Sequence, residues 1–142
     1  MTELSEYKFG EITIGEKKKF TEKIDEQKLE DFAKLSGDFN PLHMNEEYAS
    51  TTKFKKRVCH GMLLASFFSK LVGMYLPGKH ALYFSQVLNF QAPCFVDDEI
   101  IVEGEVLDKS IATRIITLKT SIHNQNGNCL VDGTAKIIMR ED

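Results

Sequence analysis

Between His60 and Leu76 the chain reads His-Gly-Met-Leu-Leu-Ala-Ser-Phe-Phe-Ser-Lys-Leu-Val-Gly-Met-Tyr-Leu, and Pro77-Gly78 closes the run. Apolar side chains recur almost all the way round a helical projection of this segment, so the helix has no broad polar face to give to water. It belongs inside the fold. The rest of the chain supplies the cover. Residues 82–92 alternate so that Leu82, Phe84, Leu88 and Phe90 share one face, and residues 99–107 set Ile100, Val102 and Val106 against Glu99, Glu103 and Glu105. Residues 112–123 are rich in Thr and Ile. Asn126-Gly127 is a hairpin turn signal, and residues 128–139 place Cys129, Val131, Ala135, Ile137 and Met139 on one face. One long buried helix followed by antiparallel strands predicts an α+β domain whose sheet wraps the helix. Several α+β folds satisfy that pattern.

The first third is less regular. Residues 7–24 alternate weakly and carry Gly10 and Gly15, which predicts an extended arm or hairpin. Asp25 opens a short helix with Leu29, Phe32 and Ala33 on one face, and Gly37 stops it. Residues 38–45, Asp-Phe-Asn-Pro-Leu-His-Met-Asn, cannot be helical throughout, because Asn40 precedes a proline and is pushed into an extended conformation. Asn45 is a natural N-cap for a second short helix begun by Glu46 and Glu47.

At 142 residues the chain has the size of one compact domain, read as 1–142 without linker or repeat. Its net charge of −3 speaks against a nucleic-acid partner and offers no basic surface for a membrane. The start of the chain does not read as a signal peptide, and no apolar run is long enough to span a bilayer. Cys59, Cys94 and Cys129 are odd in number, form no CxxC pair and sit in apolar or strand-like contexts, which reads as buried thiols in a reducing compartment and not as a zinc site. The expected location is the cytoplasm.

The residues with chemistry concentrate between 38 and 69. Asp38 and His43 flank the Asn40-Pro41 bend, which can bring a carboxylate and an imidazole to one spot, and such a pair exchanges protons near neutral pH. Read without their neighbours, these are also ordinary turn residues. Gly61 opens the apolar helix, where unsatisfied N–H groups point outward and a missing Cβ permits close approach. It serves equally as a tight turn into that helix. Ser69 lies further along the same helix, where it can simply bond back to the backbone, and Ser66 rivals it for any polar role. His60 reads as a structural residue at the helix start, and His80 and His123 as solvated. Lys53, Lys55, Lys56 and Arg57 read as a solvated loop face, with contact to phosphates as the alternative.

Three blocks carry a family resemblance: Phe32-Ala-Lys-Leu-Ser-Gly-Asp-Phe-Asn-Pro-Leu-His43 continuing to Tyr48-Ala49, His60-Gly-Met-Leu-Leu-Ala-Ser-Phe-Phe-Ser69 with Leu76-Pro-Gly78, and Phe90-Gln-Ala-Pro-Cys-Phe-Val-Asp-Asp-Glu99. In this order they resemble the MaoC-like, R-specific enoyl-CoA hydratases, over nearly the whole chain from about Phe20. The resemblance implies a single hot-dog fold, an antiparallel sheet around a long central helix. It implies an Asp38/His43 acid–base dyad, Gly61 as the N–H donor to the thioester oxygen, Ser69 as a serine near the dyad, and Asn40 as a support behind it. It implies an acyl-CoA thioester substrate, no metal, no organic cofactor and a homodimer, with residues 82–92 as a candidate edge. Many members carry a proline just before the His-Gly pair, whereas Lys56-Arg57-Val58-Cys59 stands here.

The implied reaction is reversible syn hydration of a trans-2-enoyl-CoA to the (R)-3-hydroxyacyl-CoA. The same chemistry on an acyl carrier protein, a hot-dog thioesterase, and a non-catalytic acyl-CoA-binding protein are the alternatives. The Asp-Phe-Asn-Pro-Leu-His run speaks against the thioesterase, and the presence of both dyad residues speaks against the binder.

Overall fold

The computed structural model describes residues 2–142. A single 3-10 turn at Phe9–Glu11 leads to strand β1, Lys17–Lys23. Three helices follow, α1 at Glu26–Ser36, α2 at Pro41–Met44 and α3 at Glu46–Ser50. Helix α4, Gly61–Lys70, continues through a π-type turn at Leu71–Tyr75. Strands β2 (Ala81–Phe90), β3 (Glu99–Ser110), β4 (Ile115–Asn124) and β5 (Cys129–Met139) complete the chain. The strands form one antiparallel sheet in the order β1-β3-β4-β5-β2.

The sheet curls around α4, as the apolar run requires. Leu63, Leu64, Phe68 and Leu71 are buried against Ile100, Val102, Ile122 and Val131. Further along, Val72 and Leu76 pack on Val106, Ile116, Leu118 and Ile137. Helix and sheet come close at Gly104, where a Cβ would stand 2.9 Å from Leu71 Cδ2. Each large aliphatic side chain buried here is worth about 1.5–3 kcal/mol, so the hydrophobic contact of α4 with β3, β4 and β5 dominates the stability of the domain.

Local signals set the helix ends. The Asp25 side chain caps α1 by accepting from the Lys28 N–H at 3.0 Å, and Gly37 ends it in the left-handed conformation at φ 82°. Asn45 caps α3 by accepting from the Tyr48 N–H at 2.9 Å. Asn40 is extended, as its position before Pro41 demands, and its side chain caps α2.

Two expectations become specific in three dimensions and two change. Of the extended arm or hairpin expected for 7–24, the structure shows the arm: β1 pairs with β3, Phe20 opposite Val102, a partner remote in sequence. The 38–45 stretch is not helical throughout, as expected, and its helical part is the single turn Pro41–Met44. Leu82, Phe84, Leu88 and Phe90 do not share a face. The register shifts between Tyr83 and Ser85, and beyond that bulge Leu88 packs on the core and Phe90 lies against Gly61, while Leu82 and Phe84 are exposed. Finally, α4 is not enclosed on all sides: Met62 is 57% exposed, and Ser66 and Ser69 share its open side. Among the described residues no helix is long and apolar enough to cross a membrane.

Candidate active site

The loop after α1 is built from side-chain–backbone hydrogen bonds. Ser36 Oγ accepts from the N–H of Asp38 at 3.1 Å, Asp38 Oδ1 accepts from the N–H of Asn40 at 3.1 Å, and Asn40 Oδ1 accepts from the N–H of Leu42 at 2.9 Å. Such Asx turns hold the backbone without a regular ladder. Asn40 thus both fixes the Asp38 carboxylate and starts the helical turn that carries His43.

His43 points its Nδ1 at the carbonyl of Val58, 2.6 Å away. A carbonyl only accepts, so Nδ1 carries the hydrogen and Nε2 of the neutral ring presents a lone pair. Arg57 secures the same turn from behind, donating through Nε to the carbonyl of His43 at 2.6 Å and through a terminal nitrogen to Glu26 at 2.8 Å. Arg57 is buried at 7% exposure, so the solvated face expected for 53–57 holds for Lys53, Lys55 and Lys56 and not for the arginine.

Asp38 and His43 are brought together, and His60 joins them. One ionisable atom from each of the three lies within 4.8 Å of the others. His60 is buried, donates from Nε2 to the main-chain carbonyl of Asp38 at 3.0 Å, and lies with its ring 4.2 Å from that of His43 at 31°. Burial pushes the pKa of His60 down, the Asp38 carbonyl opposes this, and His43 and Arg57 add to the lowering. The three groups also meet the distance requirement of a metal site. Imidazole lone pairs lie in the ring planes, however, and two rings laid over one another do not aim them at a common point.

His43 and Gly61 line a cavity of about 490 Å³ whose wall is mostly apolar, with Phe54, Leu64, Phe90 and Val131. Asp38 is exposed and stands outside that wall. Gly61 opens α4, where an N–H has no intrahelical acceptor, and its N–H makes no hydrogen bond among the described residues. A Cβ on Gly61 would come within 2.8 Å of the Phe90 ring, so the glycine also admits this side chain. Cys59 and Cys94 sit beside it, linked by a backbone hydrogen bond of 2.7 Å. The Cys94 thiol is pushed far above its ordinary range, first by its hydrogen bond with Cys59 and then by burial, and is an inert neutral group.

Ser69 is not brought to this cavity. It lines a neighbouring groove of about 340 Å³ with Phe32, Met62, Tyr83, Gln86 and Leu88. Eight residues separate it from Gly61, about 12 Å along a helix, which is why one helix carries both without joining them. Met62 lines both spaces. The Tyr83 hydroxyl donates to Gln86 in that groove, and burial raises the Tyr83 pKa to about 12.

Residues 9–127 match the family model described as "MaoC like domain". The chain belongs to the MaoC-like family. This MaoC-like chain is 42% identical over 126 residues to the (R)-specific enoyl-CoA hydratase of Aeromonas caviae, covering 89% of this chain and 94% of that protein. It is 31% identical to the mitochondrial 3-hydroxyacyl-[acyl-carrier-protein] dehydratase of Arabidopsis thaliana, over 90% of this chain and 78% of that one. Its fold superposes on the unliganded R-hydratase PhaJ1 of Pseudomonas aeruginosa with a TM-score of 0.90 and 38% identity, covering 95% and 86% of the two chains. The α+β architecture of this MaoC-like chain is the hot-dog fold. His60 and Arg57 are the two members of the site that the sequence reading assigned elsewhere. The signal available was the His60-Gly61 pair itself for the histidine and closeness to that pair for the arginine.

Proposed function

We propose that the chain is an R-specific enoyl-CoA hydratase, a hydro-lyase that adds water reversibly and syn across the double bond of a trans-2-enoyl-CoA. Asp38 and His43 act together on one water. The observation that carries this reading is that the Asp38 carboxylate and a ring nitrogen of His43 lie within 4.8 Å of each other, with the His43 ring anchored through Nδ1 to the carbonyl of Val58. Its background is the 42% identity to the Aeromonas caviae enzyme.

Hydration of a conjugated thioester needs a base to activate water for attack at C3, an acid to protonate C2, and a donor for the developing enolate oxygen. A water held between Asp38 and His43 gives its hydroxyl to C3, and the proton taken from it returns to C2 on the same side. The N–H of Gly61, with the positive end of α4 behind it, receives the thioester oxygen. The apolar cavity takes the carbon chain near the reacting bond. Ser69, in the neighbouring groove, meets a more distant part of the substrate and no reacting carbon. Asn40 keeps Asp38 in place, and no metal or organic cofactor enters this scheme.

The test is incubation of the pure protein with crotonyl-CoA while enoyl absorbance and free thiol are followed together. A hydratase removes the chromophore without releasing thiol. Thiol release would make it a thioesterase, and neither change would make it a binder. Coupling the product to a dehydrogenase specific for the S isomer should yield almost no NADH, and hydration in deuterated water should give syn addition. The likeness to the Arabidopsis thaliana protein favours a second carrier, acyl carrier protein, and comparing kcat/KM for crotonyl groups on the two carriers decides between them.

The reading extends to a cytoplasmic homodimer of one-domain chains, 1–142. The two sheet edges support it by their contrast. Strand β1 carries Lys17, Lys18, Lys19 and Lys23, charges that discourage edge pairing. Strand β2 exposes Leu82, Phe84, Val87 and Phe90, all four by more than half, beside the open side of α4. Sedimentation at micromolar concentration should show twice 16.2 kDa, and a species of 16.2 kDa alone would remove the dimer.

A further inference from the structure

The acid–base scheme leaves one imidazole without a task. His60 is 1% exposed and begins α4, yet its side chain does not cap that helix. It donates instead to the carbonyl of Asp38, and it is wedged between the His43 ring at 4.2 Å and the edge of Phe32 at 5.0 Å. Its Nδ1 is buried with no hydrogen-bond partner among the described residues. A residue serving only to fill this space would not need a nitrogen whose lone pair goes unanswered, since an apolar side chain fills space without that cost.

We propose that His60 is a positioning residue, whose ring ties the Asp38 loop to the start of α4 and fixes the plane of the His43 ring. The other two hydrogen bonds of Asp38, to Ser36 and Asn40, are local to the loop and leave it free to move as a unit. The bond to His60 spans 22 residues and connects that unit to the most deeply packed helix of the domain. Ring contact supplies the second constraint, since a ring held at one nitrogen by Val58 can still swing about that bond until a neighbour blocks it.

The charge state follows from what faces His60. Asp38 comes from the loop, His43 from α2 and Arg57 from the segment before α4; Phe32, from α1, is uncharged. Burial keeps the ring neutral, and a neutral ring must carry its hydrogen on Nε2 to donate to a carbonyl. A protonated His60 would place a positive charge against His43 whenever His43 takes up the proton of the attacking water. The neutral form leaves His43 free to do so.

This inference rests on Asp38 and His43 being the reacting pair, and the test separates the two. His60→Phe keeps an aromatic ring, slightly larger, beside His43 but loses the donor, while His60→Gln restores a donor. His60→Phe should lower kcat on crotonyl-CoA by about 10- to 100-fold with KM changed less than about threefold, the pattern of lost alignment, and should displace the acid limb of the kcat/KM profile. His60→Gln should recover much of that loss. Nitrogen-15 spectra of the unliganded wild-type protein above pH 7 should show His60 neutral and protonated on Nε2. Unchanged kcat in His60→Phe, an effect on KM alone, equal losses in both folded variants, or a His60 that carries its proton on Nδ1 would each overturn the proposal. If His60→Phe does not fold, His60→Gln and the spectra decide. Wild-type turnover in Asp38→Asn or His43→Ala would instead remove the dyad, and the spectra would still report whether His60 is bound to Asp38.

Discussion

Arg57 donates to the main-chain carbonyl of His43 at 2.6 Å while its other end meets Glu26, whose side chain is 65% exposed. The two contacts are unequal. The ion pair reaches solvent and is worth about 0–1 kcal/mol. The bond to His43 is charge-assisted, part-buried and attached to the turn that bears the dyad imidazole. Arg57→Met should therefore cost about 1–3 kcal/mol of stability by orphaning that carbonyl, while Glu26→Gln should cost under about 1 kcal/mol. Turnover should fall in Arg57→Met by up to about 10²-fold, the effect of an imidazole displaced by about 1 Å, and stay near wild type in Glu26→Gln. Urea unfolding and crotonyl-CoA kinetics on the two variants check both halves.

Asp38→Asn preserves shape and removes the proton-transfer group, and His43→Ala removes its counterpart. Each should lower kcat by at least about 10²-fold. Because both act on one water, the double variant should be little worse than either single one. Near-wild-type turnover in a folded single variant, or losses that simply multiply, would count against a shared water.

Gly61→Ala introduces a Cβ 2.8 Å from the Phe90 ring. Phe90 is 53% exposed, so its ring can move aside and the fold should survive with nearly unchanged melting. The methyl group would nonetheless stand where the thioester oxygen approaches the N–H. Activity should drop about 10- to 100-fold, less than the 10²–10³ typical of deleting an oxyanion donor outright, because the N–H remains. Melting curves and turnover on the same sample separate the two effects.

The buried, neutral His60 also makes stability depend on pH. Its folded pKa lies below the ordinary 6.5, so below that pH the unfolded chain binds a proton that the folded chain refuses. The contribution of this group is complete above pH 6.5 and is lost as pH falls towards the folded pKa. The melting temperature of the wild-type protein should decline between pH 7 and pH 5, and His60→Gln, which has nothing to titrate there, should decline less. Parallel slopes for the two proteins would show that His60 is not the group responsible.

Much of this protein was written locally in its sequence. The Asp25, Asn40 and Asn45 caps, the Gly37 stop and the extended residue before Pro41 follow from short-range sterics and hydrogen bonding, which the chain satisfies wherever it lies. The apolar run after His60 dictated a helix packed on the sheet along most of its surface, and the alternation of Ile100, Val102 and Val106 dictated a strand that covers it. The Asp38–His43 spacing and its flanking residues identified the candidate dyad.

Only the tertiary structure decided the rest, because it depends on partners distant in the chain. No local signal says that β1 joins β3, or that a bulge after Tyr83 sends Leu82 and Phe84 outward while Phe90 turns to Gly61. Arg57 looked like one more charge in a basic loop until folding placed the carbonyl of His43 against it. His60 stands at the helix start as its position indicated, but its bond to the carbonyl of Asp38 depends on a loop 22 residues away. Burial and pairing are properties of the packed chain, and what a charged or titratable side chain does is fixed by the groups that packing puts beside it.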